Sequence, residues 1–328
     1  MATIKDLAKY CNVSISTVSY ALNDSKEVSA ETKERIKKAA EELNYVPNAY
    51  ARGLKNKLTY NIGVFLSGFE GPIHHTILSG IAKVLTNVDC KYNMIVTLSD
   101  NKMLLIKEKS VDLAIIMDSR VEVETINELS KIVPIITFDN EIYGKNIYNT
   151  KIDNTNGIYL QTINLINKGC KRIAYMLGSK HSYHNRKRFE GYVKAFEEKK
   201  MPLDKSIVFD ADAFTEQRGF EVINEIVSQN NKLTFDSLIC ANDELAIGAI
   251  NALTKHGYNV PKDIKVAGFD NIEKGNYVYP TLSTVKVDWK FYGEEMAKLA
   301  LEILANKKTK DIDIPVEIIE RDSTKILV

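Results

Sequence analysis

The chain has 328 residues, 45% apolar and 27% charged, with a net charge of +1. This ordinary globular balance allows two or three domains with a large core and excludes a polycation. No apolar run reaches the roughly 18 residues of a membrane span, the start MATIKDLAKY lacks the basic-then-apolar order of a secretion signal, and Cys11, Cys90, Cys170 and Cys240 are too far apart for a zinc pattern or a C-x-x-C pair. A cytoplasmic protein with reduced, mostly buried thiols is expected, with no metal, no cofactor and no membrane contact. Residues 1–60 hold ten Lys and Arg against seven Asp and Glu, a mild pointer to a polyanion partner at this end.

In chain order, the first 45 residues read as three short helices. Thr3 can cap the first, with Asp6 three residues on and Ile4, Leu7, Ala8 and Cys11 at i, i+3, i+4 and i+7. Asn12 and Val13 make a short turn. Ser14 can cap a second helix, and Ser29 a third whose Ile36, Ala40 and Leu43 share a face. A linker with Pro47 and Gly53 follows, marginal as a free helix. After about residue 60 strand-like runs alternate with helical patterns. The strands are IGVFLS (62–67), NMIVTLS (93–99), DLAIIM (112–117), PIITFD (134–139), RIAYMLG (172–178), SLICAND (237–243) and IKVAGFD (264–270); the helices lie near 76–87, 156–168, 188–199, 215–229, 243–256 and 289–305. Repeated βα units of this length predict two parallel-sheet lobes, with ligands at the C-terminal ends of the strands.

The second helix carries VSISTVSYALN (13–23), with almost no charge. Ser16, Ser19, Tyr20 and Asn23 fall on one stripe, and Val18 and Leu22 face the other way. A helix, a tight turn and a second helix of this kind suit the DNA major groove, where short hydrogen-bonding side chains meet base edges and phosphates. A polar-faced helix in an ordinary bundle has the same pattern.

The stretches TIKDLAKYCNVSISTVSYALN (3–23), NYVPNAYARGLKNKLTYNIGVFL (44–66), ICANDELAIGAINAL (239–253) and VAGFDN (266–271) together resemble the lac repressor/galactose repressor family of bacterial transcription regulators, over essentially the whole chain. The resemblance implies an N-terminal all-α helix-turn-helix headpiece at 1–46 and a hinge helix at 47–58. It implies a periplasmic-binding-protein-like α/β core at 59–328, with an N-lobe of about 59–153 and 286–315 and a C-lobe of about 154–285 and 316–328. Ile15, Ser16 and Tyr20 match the family's base-reading positions; Thr3, Ser14, Thr17, Ser19 and Asn23 match backbone-contacting or capping positions. Leu54 matches the leucine wedged into the minor groove, with Lys55 beside it. Two copies are needed for such a wedge, so a homodimer on a near-palindromic operator is implied. The plain alternatives are that Ile15 packs on the third helix and that Leu54 is an ordinary linker residue. Cys11-Asn12 and Tyr20 depart from the commonest family residues.

For the core, the resemblance implies a small-molecule effector between the lobes, a sugar or sugar phosphate, contacted by Arg188 in RFEG, Asn242 in CAND, Asp270 in GFDN, Phe214, and Asp139 in TFDN. Carboxylates, amides, a guanidinium and an aromatic face are what a sugar site uses. Asn242 and Asp270 could instead cap helices, and Phe214 could be core. Ile73 and His74, in GPIHH (71–75), fall where many relatives carry aromatics, Val287 replaces a common Gln, and the stretch from Ser99 to Val111 is about ten residues short. KHSYHNRKR (180–188) reads as a solvated cationic loop, also suited to a phosphorylated effector; His181 and His184 lack a third metal ligand nearby.

The expected function is a ligand-controlled DNA-binding regulator, a repressor of a carbohydrate-utilisation operon. The alternatives are a purine or other metabolite sensor of the same family, a solute-binding protein, or an enzyme on the same core. No G-x-G-x-x-G, G-x-x-x-x-G-K-[ST] or G-x-S-x-G occurs, which argues against the enzyme.

Overall fold

The computed structural model describes residues 2–23, 25–46, 58–87, 90–99, 103–138, 141–230 and 232–326. Positions 47–57 of the expected hinge, including Leu54 and Lys55, and the candidate Asp139 lie outside the described residues. The chain divides into two compact units, Met1–Thr59 and Tyr60–Val328.

The first unit contains α1 (Ile4–Tyr10), α2 (Ile15–Leu22) and α3 (Ala30–Glu42). Each begins at the expected hydroxyl. Thr3 and Asp6 close a reciprocal capping box, Ser14 accepts the Thr17 N–H, and Ser29 accepts the Thr32 N–H. Asn12 turns the chain between α1 and α2 at φ 50°, a conformation its short polar side chain tolerates. Leu7, Cys11, Val18, Ala21, Ile36 and Ala40 close the small core.

The second unit holds two lobes. The N-lobe sheet is all parallel, in the order β11-β5-β4-β3-β1-β2. Its strands are β1 (Asn61–Leu66), β2 (Asn93–Leu98), β3 (Leu113–Met117), β4 (Ile135–Thr137), β5 (Ile147–Ile152) and β11 (Ile312–Ile314). All five residues of the central β3 are buried, as expected of a parallel strand covered on both faces. The lobe's helices are α4 (Pro72–Leu85), the four-residue α5 (Leu104–Lys107), α6 (Val123–Leu129) and α11 (Trp289–Leu304), with α11 packed along α4. The shortness of α5 matches the missing residues between Ser99 and Val111.

The C-lobe sheet is parallel in the order β7-β6-β8-β9: β6 (Ile173–Leu177), β7 (Val208–Asp210), β8 (Ser237–Cys240) and β9 (Lys265–Ala267). Its helices are α7 (Asn154–Asn167), α8 (Tyr183–Glu198), α9 (Glu216–Asn230) and α10 (Asp243–Lys255). An antiparallel ribbon joins β10 (Thr284–Lys286) to β12 (Glu317–Ile319). The chain passes between lobes three times: from β5 into α7, from β10 into α11, and from β11 into β12. Because β5 runs out of one sheet directly into a helix of the other lobe, the C-terminal strand ends of the N-lobe face the lobe junction. Val287, on the second passage, is core.

One expectation fails. Residues 180–188 are not a solvated loop; from Tyr183 they form the start of α8. Ser182 caps it by accepting the Asn185 N–H at 3.3 Å, and the Asn185 amide bonds the Gly178 N–H and C=O. These local bonds hold a cation-rich segment that propensity alone leaves open.

Candidate DNA-reading helix and effector cleft

On α2, Val18 and Ala21 are buried while Ser16 and Asn23 are exposed and Ser19 and Tyr20 half-exposed. Ile15 is 45% exposed and stands outside the three-helix core. The helix thus turns an apolar residue and several hydroxyls outward. Ser14 and Thr17 hydroxyls bond each other at 2.8 Å, Thr3 bonds Asp6 at 2.7 Å, and the Asn23 amide donates to the Ser19 carbonyl at 2.7 Å. These side chains brace the helix ends.

At the lobe junction the C-lobe contributes a buried cluster. Arg188 donates from Nη2 to Asp270 Oδ1 at 3.0 Å, from Nη1 to the Ala241 carbonyl at 2.7 Å and from Nε to Asn154 Oδ1 at 2.9 Å. Its guanidinium lies 3.7 Å above the Phe269 ring centroid. Two features bring Arg188 here. It sits in the second turn after the Ser182 cap on α8, and Gly191 lets α8 press against α7, where a Cβ would lie 2.1 Å from the Thr155 carbonyl oxygen. Burial pushes the Asp270 carboxyl up to about 6, against the pull of Arg188 and then of His184. Asp270 does not cap a helix. Asn242 does: its Oδ1 accepts the Leu245 N–H at 3.0 Å, and its Nδ2 donates to the Phe214 carbonyl at 3.1 Å. That bond ties the half-buried Phe214 to the strand end, and its ring covers Gly178, where a Cβ would fall 2.2 Å from Phe214 Cε1.

The N-lobe side holds Ile73 and His74, both half-buried on the first turn of α4. Sequence reasoning missed a charged group at the end of an N-lobe strand. Asp118, just past β3, accepts from Arg120 Nε at 2.9 Å, Arg120 Nη2 at 2.8 Å, the Arg120 N–H at 2.9 Å and the Ser99 hydroxyl. Burial penalises its charge, yet these bonds outweigh burial and hold the carboxyl below its ordinary range. Also missed were Asn154, which bonds both Arg188 and His184 Nδ1 (2.8 Å), and the buried Asp243, which accepts from Thr284 Oγ1 at 2.6 Å and the Ile272 N–H at 2.9 Å. Burial and the Asp270 charge push Asp243 well up, and burial, Asp270 and Glu216 push Glu244 up to about 7. The signal for Asp243 and Glu244 was present in CANDE (240–244), where a strand end meets a helix start. His181 is exposed and His184 buried; among the described residues no group of three His, Cys, Asp or Glu could hold a metal, and no described helix is long and apolar enough to cross a membrane.

Residues 3–48 match the family described as bacterial regulatory proteins, lacI family, and residues 163–324 match the periplasmic binding protein-like domain. The HTH-type transcriptional repressor PurR of Haemophilus influenzae (strain PittEE) is 32% identical over 342 positions, covering all of both chains. The chain belongs to the LacI family. It is a DNA-binding transcriptional regulator with an effector-binding domain, and not an enzyme. The structure of the lac repressor dimer bound to operator and the anti-inducer ONPF has the same fold, with a TM-score of 0.84, 24% identity, and 98% of this chain and 99% of that chain covered. A LacI family regulator from Enterococcus faecium with bound ribose superposes with a TM-score of 0.73 at 26% identity, covering 82% of this chain and all of that one. Within the LacI family frame, α1 to α3 are the helix-turn-helix unit and the two lobes are the effector-binding core.

Proposed function

We propose that this regulator is a repressor of a carbohydrate-utilisation operon, that it binds a near-palindromic operator as a cytoplasmic homodimer, and that a sugar or sugar phosphate between the lobes controls binding. Ile15, Ser16 and Tyr20 read bases, with Ile15 suited to a thymine methyl. Thr3, Ser14, Thr17, Ser19 and Asn23 hold the DNA backbone or brace the helix, and Leu54 with Lys55 enters the minor groove at the operator centre.

The observation that carries the effector reading is the buried Arg188–Asp270 pair. Among the described residues Asp270 accepts from one side chain, Arg188, so its carboxylate retains acceptor sites, and Arg188 makes three bonds with five donors to give. Neighbouring hydroxyls of a sugar both donate and accept, which satisfies such a pair. Phe214 offers the apolar face, and Asn242, Ile73, His74 and Asp139 complete the set. The ribose-bound relative supports this choice. The effector acts by population shift: it favours one lobe arrangement over another and so changes the fit of two headpieces to their half-sites. The PurR relative makes a purine the competing ligand.

A thermal-shift panel of free sugars, sugar phosphates and purines tests the reading. A ligand at one hundred times its dissociation constant adds about 2.7 kcal/mol of stability, and Arg188→Ala should abolish that shift. A response to purines alone would replace the sugar by a purine; a sugar shift that survives Arg188→Ala would remove Arg188 from the site.

A further inference from the structure

The first turn of α8 touches the opposite lobe in two places. The Tyr183 hydroxyl donates to Glu141 Oε2 at 2.8 Å, and the His184 ring meets the Phe138 ring edge-on at 5.3 Å between centroids. Tyr183 and His184 belong to the C-lobe, Phe138 and Glu141 to the segment after β4 in the N-lobe. The Glu141 carboxylate is built as a receptor for the tyrosine. Its other oxygen is bonded by the Tyr143 hydroxyl and lies 3.1 Å from Lys151 Nζ, which is itself 3.4 Å from Asp311. The hydroxyls of Tyr143 and then Tyr183, followed by the Lys151 amine, hold the Glu141 carboxyl down at about 2, so it is fully ionised at neutral pH.

We infer that Tyr183 and Glu141 form a cross-lobe latch that sets the closed-to-open ratio of the cleft from outside the effector contacts. Three features favour a latch over a fixed strut. First, the bond is a single one, and a cavity of about 330 Å³ lined by Glu141, Lys151, Asn154, Tyr183, Lys187 and Asp313 brings water to it; such a bond is breakable. Second, when the lobes part, Glu141 keeps Lys151 and Tyr143, so neither charge is stranded. Third, Tyr183 and Arg188 lie on the same helix, and Asn154 bonds Arg188 and His184, the neighbour of Tyr183, together. A shift of Arg188 on its ligand is therefore felt at the latch. The role of the latch in regulation rests on the effector-controlled reading above; its effect on lobe spacing does not.

The test is the lobe-to-lobe distance in the ligand-free full chain, measured by pulsed electron resonance between spin labels at K131C and K199C in a C90S background. Tyr183→Phe should lower the closed-to-open ratio about tenfold, the loss expected for one bond to a charged acceptor, and Glu141→Ala should do the same. The double variant should go no further than either single one. Tyr159→Phe is the control, since Tyr159 bonds Glu198 at 2.8 Å inside the C-lobe; it should leave the distribution alone. Unchanged distances in both latch variants, or effects that add, would overturn the latch. A thermal-shift panel without hits would count against the effector and leave these distances as they are.

Discussion

The cleft carries two pairs of arginine and aspartate that differ in almost everything but chemistry. In Arg188–Asp270 both side chains are buried, at 4% and 2% exposure; in Arg120–Asp118 the carboxylate is also buried at 3% but the guanidinium is 62% exposed. Asp118 is held low and Asp270 pushed up. Burial penalises both carboxylates, and Asp270, whose guanidinium partner is buried with it, is the deeper of the two. The number of donors differs as well: Asp118 receives Arg120 three times and Ser99 once, while among the described residues Asp270 receives Arg188 once. At Asp118 the four hydrogen bonds and the Arg120 charge outweigh desolvation; at Asp270 the charge and single bond of Arg188 do not. The satisfied pair fits a structural brace. The buried one, with donor and acceptor sites left over among the described residues, fits an effector site.

The comparison can be broken by removing either cation. Arg188→Ala should cost about 3–5 kcal/mol of unfolding free energy, because it strands a buried carboxylate. Arg120→Ala should cost about 1–3 kcal/mol, because its departure opens Asp118 to water. Urea unfolding of both variants at pH 7 measures the ranking. Equal costs would mean that the exposed guanidinium is as firmly committed as the buried one, and the division into site and brace would fail.

How much of this was open to the sequence depends on range. Thr3, Ser14 and Ser29 cap helices within three residues of themselves, and their spacing announces it. Strands such as β3 are apolar throughout and stand out equally well. β5 was missed because its buried positions include Asn149 and Thr150, which look like loop residues. Both are satisfied at a distance: Thr137 Oγ1 donates to Asn149 Oδ1, the Asn149 amide bonds the Ile142 backbone twice, and Thr150 meets the Tyr292 hydroxyl. Arg188 and Asp270 were named as site residues through the family motifs, but they stand 82 positions apart and nothing local pairs them. Glu141 with Tyr183, and Asp118 with Ser99, are invisible for the same reason: polar residues at strand ends acquire meaning from the partner that the topology brings.

The same contrast predicts a stability profile with two limbs. Asp118 and Glu141 have lowered carboxyls, so their contribution is present above the ordinary carboxylate range and is lost as pH falls through their folded values, about 2 for Glu141. Asp270 and Glu244 have raised carboxyls, at about 6 and about 7. For these the folded state binds the proton more tightly than the unfolded chain. The favourable contribution is complete below about pH 4, where both states are protonated. It is lost as pH rises through 6 and 7, where the folded state must ionise buried groups. The thermal midpoint should therefore decline between pH 5 and 8. Glu244→Gln is the mildest probe of that limb, since Glu244 is only half-buried and its side chain has no hydrogen bond among the described residues. The variant should unfold with wild type near pH 4.5, above wild type at pH 8, and with a flatter slope between. A slope equal to that of wild type would leave the buried Asp270 and Asp243 responsible for the neutral limb, and Glu244 would drop out of the set of raised carboxylates.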